Sequence, residues 1–171
     1  NRKVFLSGKI FKEGVDMVPT RNGYGEALLE LGETNPFVVV LTGDLAESTR
    51  VLEFWKKYPD RFFECGVAEQ NMMGIAAGLA AAGKIPFISS YAVFSPGRSW
   101  DQLRVSVCYS NLNVKVAGAH TGISVGPDGA THQALEDIAI TRVLPNMTVV
   151  VPCDAIETRK ATLQGAAFQG P

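Results

Sequence analysis

The chain has 171 residues, 46% hydrophobic and 19% charged, with a formal net charge of −1. That length suits one domain able to bury most of its apolar surface, and the composition excludes a disordered chain. Lys and Arg are scattered, which excludes the basic footprint of a nucleic-acid or membrane-surface binder.

In chain order, residues 1–19 lack periodicity and are expected to form an N-terminal arm, with one domain over 20–171. No apolar run reaches bilayer length and no signal-peptide pattern opens the chain, so the expected location is the cytoplasm. "RNGYGEALLELG" places Ala27, Leu28 and Leu31 at helical spacing, with Gly32 as a C-cap. "NPFVVVLTGD" then carries a β-branched run without alternation, which suits a parallel strand covered on both faces. "RFFECGV" reads as a short extended segment. Residues 68–82 read as a helix with Met72, Ile75, Ala76 and Leu79 facing the core. The remaining elements are expected as strand 84–91, helix 96–110, strand 113–120, helix 131–143, strand 146–154 and helix 155–168.

This alternation predicts an α/β fold, a mostly parallel sheet with helices on both faces. Ligands are expected in the loops at the C-terminal ends of its strands. The three cysteines, Cys65, Cys108 and Cys153, show no CxxC spacing and read as reduced, buried small hydrophobes without a role.

The segment "CGVAEQNMMGIAAGLAAAGK" carries Glu69 and then no ionisable side chain until Lys84. A carboxylate in the first turn of a helix complements the positive end of the helix dipole. This helix is apolar nearly all round, so the carboxylate is expected to be partly desolvated and to need a partner. The nearby sequence offers no base, and a ligand nitrogen would serve. Tyr91 and Phe94 close a strand in "SSYAVF", and both suit a core or a stacking surface. Both histidines border one glycine-bearing loop, "AHTGISVGPDGATHQ", with His120, Asp128 and His132. The spacing lacks the HxH or HxxxH pattern of a metal site, and no metal is expected on this chain. Thr131 or Asp128 capping the next helix is the plainer alternative.

Taken together, "GVAEQNMMGIAAGLAAAGKIPF", "SSYAVF", "WDQLR", "GPDGATHQALEDIA" and "LPNMTVVVPCD" resemble the pyrimidine-binding domain of transketolase, a thiamine-diphosphate enzyme. The likeness extends from about residue 20 onward and is nearest to the split form, in which this domain begins a separate C-terminal subunit. It implies transfer of a two-carbon ketol unit from a ketose phosphate to an aldose phosphate, in the pentose phosphate pathway. It also implies that Glu69 hydrogen-bonds a ring nitrogen of the cofactor's aminopyrimidine, preparing it to take the proton from C2 of the thiazolium. Phe94 and Tyr91 would stack on that ring. Asp44 and Leu45 would lie beside the thiazolium across a subunit contact.

Asp128 and His132, within "DGATHQ", would hold substrate hydroxyls near the reacting carbons, with His132 taking part in catalysis. His120, Arg21 and Ser48 would bind the sugar phosphate. A guanidinium offers forked donors that suit phosphate oxygens. "TGD" lacks the rest of the diphosphate–metal motif, so the resemblance places the diphosphate and Mg²⁺ (or Ca²⁺) on a partner subunit or domain, in a homodimer or heterotetramer. It further implies a continuation beyond "FQGP" into a third domain. A deoxyxylulose-phosphate synthase-like domain, or a non-catalytic half-site module, are the alternatives.

Overall fold

A computed structural model describes Gly14 and residues 17–171. Nearly all of the expected arm thus lies outside the described residues. The chain runs through α1 (Thr20–Thr34), β1 (Val38–Thr42), α2 (Leu52–Lys57), β2 (Phe62–Glu64), α3 (Glu69–Ala81), β3 (Ile85–Tyr91), α4 (Trp100–Gln102), β4 (Lys115–Ala119), α5 (Asp137–Arg142) and α6 (Ala155–Ala167). The four strands are parallel in the order β2-β1-β3-β4. No described helix is long and apolar enough to cross a membrane.

Every residue of β1 is buried. Successive side chains leave a strand on opposite faces, and this divides the core in two. Val39, Leu41 and Ile88 meet Met72, Met73 and Ala76 of α3 on one face. Val38, Val40 and Phe87 meet Tyr24, Leu28 and Leu31 of α1 on the other, with Phe54 and Ala166. The α/β architecture is the one the sequence implies, with α1 and α6 on one face and α3 on the other.

Several local expectations fail. Helix α3 buries the expected Met72 and Ala76, and a half-buried Leu79 packs against the same core, but Met73 and Ala77 also face inward and Ile75 is exposed. In a helix so uniformly apolar the pattern alone does not select the buried face. Helix α1 runs two residues past the expected Gly32 cap. The six-residue α2 lies where no helix was expected, and its Trp55 stacks on Phe62 at 4.8 Å. The helix expected over 96–110 starts only at Trp100 and widens into a π-helix over Leu103–Tyr109. That expected over 131–143 begins at Asp137, because Ala134 forms a parallel bridge with Thr121 and its carbonyl accepts from Gly122. Neither Thr131 nor Asp128 caps α5, whose N-cap is Glu136.

Residues 146–154 are not a strand. The Val149–Val151 run forms no ladder with β4, the outermost strand among the described residues. The Thr148 N–H donates to Pro171 O instead, and Val150 and Val151 are exposed. The cysteines are free, but Cys153 is exposed, not buried.

Lys115 starts β4, and its Nζ donates to Phe168 O (2.8 Å) and Gly170 O (2.5 Å). Burial lowers its pKa from 10.5 to about 8. The unfolded chain therefore binds more protons between these two values, and stability rises as pH increases through that window. We expect Lys115→Met to flatten the rise, as measured by urea unfolding at about pH 7 and about pH 10. An undiminished rise in the variant would assign it to another group.

Candidate active site

All four strands point their C-terminal ends toward one edge of the parallel sheet, and the loops leaving that edge carry the candidate residues. Two buried hydrogen bonds fix its centre: Tyr24 Oη pairs with Ser89 Oγ at 2.7 Å, and Thr42 Oγ1 donates to Ser89 O at 2.9 Å. They fasten the start of α1 to the ends of β1 and β3. Burial pushes the Tyr24 phenol well above its ordinary value, so it remains a neutral hydrogen-bonding group.

Glu69 is the first residue of α3 and is 1% exposed. Four amide N–H groups at a helix start lack intrahelical partners, and their partial positive charge favours a carboxylate there. The sequence near Glu69 holds no base, but the fold supplies one from 29 residues away: Arg98 Nη1 donates to Glu69 Oε2 at 2.8 Å. The Arg98 guanidinium also lies 4.9 Å from the centroid of the Phe94 ring.

From Phe94 the contacts continue into the other candidates. Tyr91 and Phe94 are near-parallel, with ring centroids 6.1 Å apart. His132 stands edge-on to Phe94 at 5.2 Å, and His120 lies 4.1 Å from Tyr91. Glu69, Tyr91, Phe94, His120 and His132 thus form one contiguous group from three segments distant in sequence. His132 Nδ1 pairs with Thr131 Oγ1 at 2.9 Å. Among the described residues no three His, Cys, Asp or Glu groups are close enough to share a metal ion.

His120 adopts a left-handed backbone (φ 55°), and its Nδ1 is buried without a hydrogen-bond partner. Burial lowers its pKa below the ordinary 6.5, the Arg21 charge adds to that, and Asp128 opposes it. The ring is therefore neutral near pH 7. Arg21, in the first turn of α1, donates from Nη1 to Ser48 O at 3.1 Å, linking two further candidates.

Asp44 and Leu45 sit in the loop after β1, and no described hydrogen bond or ring contact joins them to the aromatic group. Asp44 has φ 60°, and its N–H donates to Glu64 Oε1 at 2.8 Å. The same oxygen accepts from Gly66 N–H at 2.9 Å. Glu64 therefore ties the Asp44 loop to the turn leading into Glu69. Sequence reasoning missed both Arg98 and Glu64.

The family described as transketolase, pyrimidine binding domain, matches residues 16–171. The chain belongs to the transketolase family. It is 52% identical over 151 residues to a protein of Methanocaldococcus jannaschii named as a transketolase C-terminal section, covering 88% of this chain and 48% of that protein. It is 43% identical to one subunit of the apulose-4-phosphate transketolase of Phocaeicola vulgatus, covering 85% of this chain and 46% of the relative. Among solved structures, a split-gene transketolase described as an inactive β4 tetramer superposes with a TM-score of 0.81 at 52% identity. That match covers 91% of this chain and 50% of the other. The chain spans about half the length of these split transketolase relatives.

Proposed function

We propose that this chain supplies the pyrimidine side of a two-chain transketolase active site, which moves a two-carbon ketol unit from a ketose phosphate to an aldose phosphate. The observation that carries the reading is Glu69, a buried carboxylate at a helix start, joined through Arg98 to the face of Phe94. An aminopyrimidine fits these residues. Glu69 offers a desolvated acceptor for a ring nitrogen, and Phe94 and Tyr91 offer near-parallel faces.

When bound, thiamine diphosphate supplies the C2 carbon that carries the ketol unit. Glu69 holds a proton at the pyrimidine N1′, in surroundings dry enough that water does not compete for it. Phe94 and Tyr91 orient the ring by offset stacking. His132 and Asp128 hold substrate hydroxyls beside the reacting carbons, and His132 moves a proton there. Arg21, Ser48 and the neutral His120 receive the phosphate. Asp44 and Leu45 would lie beside the thiazolium across the subunit contact.

In this reading the diphosphate and its Mg²⁺ (or Ca²⁺) sit on a partner subunit, within a cytoplasmic dimer or heterotetramer. The split relatives support that division of labour. The inactivity of the related β4 tetramer supports the view that a chain of this kind is half of a site.

The test uses the full-length subunit, a diphosphate-binding partner, thiamine diphosphate, Mg²⁺, xylulose 5-phosphate and ribose 5-phosphate. We expect ketol transfer that requires both chains. Product from pyruvate and glyceraldehyde 3-phosphate instead would move the protein to the synthase branch. Activity of this chain without a partner would refute the half-site reading.

A further inference from the structure

The geometry assigns Arg98 as a positioning residue that orients Glu69 for its ligand and shares in holding Phe94. This inference rests on the cofactor role proposed for Glu69. A glutamate side chain has three rotatable bonds, and an acceptor for one ring nitrogen must be fixed in both place and angle. Arg98 provides the constraint by taking Oε2 at 2.8 Å, which leaves Oε1 for the ligand nitrogen.

Arg98 is itself well held. Its N–H donates to Phe94 O at 2.8 Å, Gly97 N–H donates to Ala92 O at 3.0 Å, and Ser95 N–H donates to Tyr91 O at 2.8 Å. The turn that delivers it admits only glycine at 97, where a Cβ would stand 2.1 Å from Val93 O. Its guanidinium then covers the face of Phe94 at 4.9 Å. A planar, permanently charged group can grip a carboxylate and lie on a ring at once, which an ammonium cannot do equally well. One side chain therefore sets the acid and an aromatic face of the same site.

The two partners differ in environment. Glu69 is 1% exposed, whereas the Arg98 side chain is 47% exposed. Removing Glu69 returns Arg98 to water, but removing Arg98 strands a charge inside the protein. Arg98→Met should therefore destabilise the full-length subunit without cofactor, and adding Glu69→Gln should restore most of the lost stability. A purely packing role for Arg98 would show no such rescue.

In the complex with the partner subunit, at saturating thiamine diphosphate, R98M should slow deuterium exchange at the cofactor C2, followed by NMR, about tenfold or more. This is the scale typical of residues that orient a ligating side chain. R98K should recover part of the rate. Failure of E69Q to rescue the stability of R98M overturns the inference, including the case in which neither R98M nor the double variant folds. Exchange at the parental rate in R98M overturns it as well. If E69Q alone exchanged at the parental rate, the role of Glu69 itself would fall. Slow exchange in E69Q with parental exchange in R98M would remove only the assignment of Arg98.

Discussion

Glu69→Gln should leave the subunit folded and lower ketol transfer in the proposed two-chain enzyme by about a thousandfold, within the range of a lost acid–base group. The substitution keeps the shape of the side chain and removes the buried charge. Arg98 loses an ionic partner but is exposed enough to be solvated, so unfolding free energy should change by about 1 kcal/mol or less. Glutamine can still occupy the end of α3, yet it cannot exchange a proton with a ring nitrogen. Steady-state assay and urea unfolding of the same preparation separate the two effects. Near-normal turnover would remove Glu69 from the mechanism.

Gly23→Ala should produce the largest loss of stability among single-methyl additions near the site. Helix α1 lies against the start of α6 so closely that a Cβ on Gly23 would stand 1.9 Å from Ala155 O and 2.8 Å from its carbonyl carbon. The obstacle is backbone, so no side chain can rotate away and the helices must separate. Overpacking of this kind costs about 3 kcal/mol, toward the upper end of the usual range. Denaturant unfolding should show a lower midpoint with an unchanged slope. Arg21 lies two residues before Gly23, so the displaced helix should also raise KM for phosphorylated sugars. An unshifted midpoint would mean that α1 and α6 can separate at no cost.

The fold was legible where burial writes itself into composition. The Phe37–Leu41 run reads as a strand covered on both faces, and from Val38 onward both faces are covered, while Phe37 precedes the strand and is exposed. The run at 149–151 looks much the same by composition, yet it forms no strand beside β4. A strand is defined by its neighbours as well as by its residues. The six residues of α2 carry too little pattern to announce a helix. The widening at Leu103–Tyr109 concerns hydrogen-bond register, which side-chain identity scarcely reports.

For the site, Glu69 was conspicuous as the one acid before a long apolar helix, and the two histidines as the only ones in the chain. Arg98 was not, because its pairing with Glu69 spans 29 residues and depends on how a turn aims it. Glu64 was one acid among 17, and only the meeting of two loops at its Oε1 distinguishes it.

Lys115 stands on the outermost described strand, and an outermost strand is a template on which another chain can add its own. A charged lysine deters that addition. Here Lys115 turns its ammonium onto the chain's own Phe168 and Gly170 carbonyls, so the charge that stands on this strand fastens the segment after α6 to β4 instead of guarding the strand.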